Sequence, residues 1–219
     1  VPPFENLTGD PSLDWMSRAA QEVLAANLAQ TPSFRPLRLA ARRDAPMAGA
    51  TQVLHGSFEK RSGRLRLTAV IEDLRTNRMS KRYTAGGSTA DGILSLANAL
   101  ARTLDHRARS YTTRSEKALE AFSKGMAASD PVERAAGFEG AVAADPDFGD
   151  AYVAWAESLA NAGDQPGARR VLSLAESRGT RIDEASRSRL GVIEAGLGGD
   201  ARQQLEALAE LARQTPDDL

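Results

Sequence analysis

The second half of the chain repeats itself, and an internal repeat constrains a fold more than any single residue does. From Ser115 onward strand-like alternation vanishes, alanine and leucine dominate, and helical spacing is broken only by brief glycine, aspartate and proline punctuation. Ala118, Leu119, Phe122 and Met126 precede a turn at Ser129 to Pro131, and Phe138, Ala141 and the terminating Pro146 follow it. The pattern returns as Tyr152, Trp155, Ala156 and Leu159, a turn at Gly163 and Asp164, and then Ala168, Leu172 and Ala175. A fainter third copy places Gly199 and Asp200 at its turn, Leu205, Leu208 and Leu211 behind it, and Pro216 near its close. Two-helix units recurring about every 34 residues cannot bury their apolar faces alone, so they stack as hairpins. Ala156 and Ala168 let paired helices approach, and Gly163 ends the first helix at a left-handed position. Gly191, Gly196 and Gly198 are poor helix formers, so only spacing and the closing proline carry the third match.

The segment Gly149 to Arg178 resembles the tetratricopeptide repeat (TPR): Tyr152 stands at the aromatic anchor, Ala156 at the small position, Gly163 at the turn. The resemblance implies an all-α solenoid of about three helical hairpins over 114–219, the last an incomplete array, whose first helices line a groove for a protein or peptide. Carried onto this chain, the groove positions are Lys117, Glu120 and Lys124 in the first unit, Asp150, Val153, Glu157 and Asn161 in the second, and Ser186 and Arg189 in the third. Their mixed charge suits an extended peptide held by side-chain pairs.

The first half mixes periods. An apolar start at Val1 to Phe4 predicts a strand, turn residues follow at Asn6, Gly9, Asp10 and Pro11, and Leu13, Met16, Ala20, Val23, Leu24 and Leu28 predict an amphipathic helix. A short extended piece follows at Phe34 to Leu39. Alternation over Val53 to Phe58, turn residues Ser62 and Gly63, and Leu65, Leu67, Ala69 and Ile71 predict a β-hairpin. Met79 to Tyr83 predicts another strand, and Leu94, Ala97, Leu100, Ala101 and Leu104 a long helix from about Asp91 to Thr113.

The stretches "PFENLTGD" and "GSFEKRSGRLRLTAVIEDLRT" resemble the TolB amino-terminal-like domain over Val1 to Thr113. This implies an α+β domain over 1–113, a small mixed sheet with helices on one side, ahead of the helical repeats. It also implies a periplasmic or otherwise extracytoplasmic bacterial protein, with a cytoplasmic location left open, and no catalytic motif. Val1 has no basic and apolar leader before it, as though the start were trimmed.

Composition narrows the chemistry. With no cysteine and only His55 and His106, thiol nucleophiles, disulfides and thiolate or multi-histidine metal sites are excluded, and no cofactor is expected. No apolar run is long enough to span a bilayer. Net charge is −1, but the part through Arg114 carries about +7 and the rest about −8. Lys60, Arg61, Arg64, Arg66, Arg75, Arg78, Lys81 and Arg82 would gather on hairpin loops and one sheet face as an anion patch. Nucleic acid is disfavoured there, because stacking aromatics are few, chiefly Phe58 and Tyr83.

Several motifs imitate catalytic ones without their context. Gly196 to Ala201 spells a dinucleotide fingerprint but follows helical sequence rather than a strand. Gly86, Ser88 and Ala90 lack the second glycine of a nucleophile elbow, and Ser88 or Thr89 serves better as a helix cap. Ser57 and Lys60 on one strand point to opposite faces. His55 in an apolar strand and His106 on a basic helix end read as packing or surface residues, while Glu72 with Asp73 and Asp145 with Asp147 read as turn acids. The expectation is a non-catalytic interaction scaffold or sensor segment, the alternative an envelope assembly module self-associating through its first domain.

Overall fold

A computed structural model describes residues 1–76, 78–87, 91–199 and 201–214. The chain divides into two compact units, Val1–Glu116 and Lys117–Leu219. The first is α+β, with β1 (Glu5–Asn6), α1 (Trp15–Ala29), β2 (Gln52–Arg61), β3 (Arg64–Asp73), β4 (Arg78–Gly86) and α2 (Ile93–Leu104) in chain order. The four-stranded sheet has the order β1-β2-β3-β4, with β1 parallel to β2 and the other pairs antiparallel. Ser62 and Gly63 both take positive φ, 49° and 77°, as a two-residue hairpin turn requires.

Register sorts the side chains. Leu54, Gly56 and Phe58 lie opposite Ile71, Ala69 and Leu67, and Leu54, Phe58, Leu65, Leu67 and Ala69 are all buried. Helix α2 packs on β3 and β4, and α1 packs on α2. Gly56 is glycine for a packing reason, since a Cβ there would fall 2.7 Å from the Phe4 ring. The opposite face carries His55, Ser57 and Glu59 beside Val70, Thr68 and Arg66.

The edges of this unit are tied by buried polar side chains of α1. Gln21 donates to the carbonyls of Val1 (2.7 Å) and Leu39 (2.9 Å), Glu22 accepts from Arg38 (2.7 Å), and Asn27 donates to Asn98 (2.7 Å). The extended piece at Phe34 to Leu39 does not enter the sheet; it meets Val1 through Val1 N to Leu37 O and Leu39 N to Val1 O. Val1 to Phe4 is likewise not a strand, because Pro2 and Pro3 have no N–H for a ladder, Phe4 N donates to Ser17 O, and pairing begins only at Glu5.

The expected long helix stops at Leu104, nine residues short of Thr113. The Asp105 carboxylate accepts from the backbone N–H and the guanidinium of Arg107 (3.0 and 2.8 Å), which turns the chain out and leaves His106 exposed in a turn rather than on a helix. At its other end α2 is capped by Glu116, which accepts from the N–H of Ile93 (2.7 Å) and of Leu94 (3.2 Å). Ser88 and Thr89, expected to cap it, lie outside the described residues.

The second unit is a succession of paired helices: α3 (Glu116–Ala127), whose first residue still belongs to the first unit, α4 (Pro131–Ala144), α5 (Gly149–Asn161), α6 (Gln165–Glu176), α7 (Glu184–Gly198) and α8 (Ala201–Gln214). Asp130, Asp164 and Asp183 cap α4, α6 and α7 by accepting backbone N–H groups. Helix α5 packs against α4, α6 and α7, and α7 against α8. Ala156 and Ala168 are fully buried at the α5/α6 crossing, and Gly163 (φ 80°) turns the chain between them. At the α3/α4 crossing glycine replaces alanine, for a Cβ on Gly137 would fall 2.5 Å from the Cα of Gly125. Phe122 lies 5.6 Å from Phe138 and 5.1 Å from Phe148, which locks this hairpin to the start of the next.

Helix α7 runs unbroken through Gly191, Gly196 and Gly198 to a left-handed Gly199 (φ 70°). Packing overrides the poor propensity, because Leu190, Ile193 and Leu197 join the core formed by Tyr152, Val171 and Ile182. Asp200 and Pro216 of the third copy lie outside the described residues.

Candidate protein-interaction site

Helical spacing sets Asp150, Val153, Glu157 and Asn161 along α5, and the fold sorts this row into two kinds. Val153 is buried with Tyr152 and Ala156 in the hairpin core, so it packs and does not face a partner. Ser186 on α7 is also fully buried, with its side chain close over Gly149, where a Cβ would stand 2.5 Å from the serine Cβ. These two expected groove residues are structural, because helices α5 and α7 meet along that line.

Lys117, Lys124, Glu157 and Asn161 remain exposed, and Glu120, Asp150 and Arg189 are half-buried. Lys124 donates to Glu120 at 2.6 Å, one helical turn apart. Arg189 reaches from α7 to Asp150 on α5 at 3.5 Å. Glu157 is exposed as a residue, yet its carboxyl is crowded enough that desolvation pushes it above the usual carboxylate range, with Arg189 partly offsetting. The six charged members, three cations and three anions, therefore form a compensated surface whose exposed pairs are each worth only a few tenths of a kcal/mol.

The basic residues of the first unit do not make one patch. Lys60, Arg61, Arg64 and Arg66 sit at the β2–β3 turn, whereas Arg75 and Arg78 sit at the far end of β3 beside Asp73. Arg82 pairs with Val70, four residues along β3 from Arg66, roughly 13 Å away. Lys60 and Arg61, as neighbours on one strand, project to opposite faces. Glu59 draws Arg61 to 2.8 Å and Arg66 to 3.6 Å, so carboxylate already occupies the densest part.

Two features escaped sequence reasoning. Glu72, read as a turn acid, is buried where a 3-10 turn at Arg42–Asp44 folds over the sheet. It pairs with the Arg42 guanidinium and lies 3.6 Å from His55 Nε2. Burial first, and Arg42 second, hold His55 below the usual imidazole range, while Glu72 works the other way. Alternation could have flagged Glu72, since it continues the open face of β3, but Arg42 lies thirty positions upstream in an irregular loop. The second feature is a cleft of about 490 Å³ between α6 and α7, with Leu172 and Leu190 at its base and Arg169, Glu176, Arg187 and Glu194 around it. No metal-binding group of three or more acidic or histidine side chains occurs among the described residues. No described helix is long and apolar enough to cross a membrane.

Comparison with models of known families, with curated proteins and with solved structures finds no match.

Proposed function

We propose that this chain is a non-catalytic interaction scaffold or sensor segment of a bacterial tetratricopeptide protein, holding a protein or an extended peptide along the first-helix face of its hairpins. The observation that carries this is the Arg189–Asp150 bridge between neighbouring first helices, with exposed Glu157 beside it. The Arg189 side chain is 37% exposed and that of Asp150 16%, so an incoming carboxylate reaches the guanidinium and shares it with Asp150. The likeness of the first half to the TolB amino-terminal domain supports an extracytoplasmic setting, and the absence of thiols and of histidine clusters supports a role without catalysis.

Capture from a bacterial envelope extract tests this, comparing the wild-type chain with Lys117→Glu, Lys124→Glu, Glu157→Lys after circular dichroism has shown equal helicity. A protein retained by the wild type and lost by the triple variant is the expected result. Equal capture by both removes the first-helix face as the working surface.

A further inference from the structure

The sheet of the first unit ends in a strand that no other described strand pairs: β4 is last in the order β1-β2-β3-β4. Five consecutive residues, Arg82 to Gly86, pair without interruption with Val70 to Arg66 on the inner side. The register shift between Val70 and Glu72 then bends the strand next to Lys81. No backbone hydrogen bond from the outer side of Arg82–Gly86 to another described residue is present. Arg82, Thr84 and Gly86 are exposed on the open face, while Ala85 is buried and Tyr83 half-buried on the helix side.

Charges on an edge strand ordinarily guard against edge-to-edge pairing. Here the guard has one sign: β4 carries Arg78, Lys81 and Arg82 and no carboxylate. Two copies of β4 side by side would bring six cations into one ladder, whereas a strand bearing acids meets complementary charge.

We propose that the β4 edge accepts an extended acidic peptide as an added strand, with alternate carboxylates facing Arg82 on the open face and small apolar residues lying beside Tyr83 and Ala85. Backbone pairing supplies the affinity and the alternation supplies the choice of ligand. This surface is separate from the helical face proposed above and does not depend on it.

Fluorescence anisotropy with a labelled peptide of alternating glutamate and valine tests the idea on the whole chain. The expected results are saturable binding, weakening of at least about fivefold in Arg82→Glu, and slowed amide exchange confined to Arg82 through Gly86. The same peptide with alternate backbone amides methylated keeps its charge but loses its strand donors, and is expected to lose binding. The proposal is overturned by no binding, by equal binding of the methylated peptide, by an indifferent Arg82→Glu variant of native circular dichroism, or by sedimentation showing a dimer that Arg82→Glu dissolves.

Discussion

The two units bury apolar surface by opposite strategies. In the α+β unit, contacts that close the structure join residues far apart in sequence: Leu39 to Gln21, Leu37 to Val1, Asn98 to Asn27 and Arg107 to Ser33. In the helical unit, the cross-hairpin bonds Arg178 to Asp147 and Arg169 to Leu197 reach only into the adjacent repeat. The first also buries Gln21, Glu22, Asn27, Glu72 and Asp105, whereas the buried polar side chains described in the second are Ser123 and Ser186. A structure closed by bonds between distant parts of the chain loses all of them together. One built of nearest-neighbour contacts can lose a terminal piece and keep the rest.

The sharpest test of that contrast is Phe58→Ala, which empties a fully buried site at the centre of the sheet. It is expected to cost about 3–5 kcal/mol and to release every slow-exchanging amide of the first unit at once. Persistence of protected amides in α1 after loss of those in β2 and β3 would break the comparison. Next in size, Gly137→Ala drives a methyl against the backbone of Gly125 and is expected to cost about 1–3 kcal/mol. Hydrogen exchange should locate that loss in α3 and α4 and leave α7 unchanged. Gly163→Ala meets no atom within 4 Å, so its cost is that of the left-handed backbone alone, about 1 kcal/mol. If denaturant midpoints ranked Gly163→Ala below Gly137→Ala, close helix approach would not be what the α3/α4 glycines provide.

The smallest effects are in pH. His55 is held below its unfolded value near 6.5, so the unfolded chain takes up more protons and stability falls as pH drops below about 6.5. Asp105 is also held low, by Arg107 first, so its contribution is present above the ordinary aspartate range and is lost on further acidification. A melting-temperature profile of His55→Phe should be flatter over the first window and unchanged in the second. An identical slope in the variant would assign the first loss elsewhere.

Much of this was legible in residue order because it depends on near neighbours. The hairpin turn at Ser62 and Gly63 and the interhelical turns at Ser129 to Pro131 and at Gly163 and Asp164 are written in adjacent residues whose φ preferences and hydrogen-bonding groups act locally. The helix predicted to reach Thr113 failed because apolar periodicity does not reveal where a side chain will capture the backbone, as Asp105 does. The expected groove positions divided for a similar reason: repeat spacing places Val153 and Ser186 on the first helices, but only helix contact decides that both are covered.

The sequence by itself determined the main helices and the β2–β3 hairpin, the change from a mixed-period half to a repeating half, and the chemistry unavailable to a chain without cysteine. Tertiary structure decided which charges meet across elements. Arg42 on Glu72, Glu116 on the α2 terminus and Arg189 on Asp150 each join different elements. It also decided that the basic residues of the sheet divide into separate groups, because strand register, which sets neighbours across a ladder, follows from packing of the whole face rather than from any local preference.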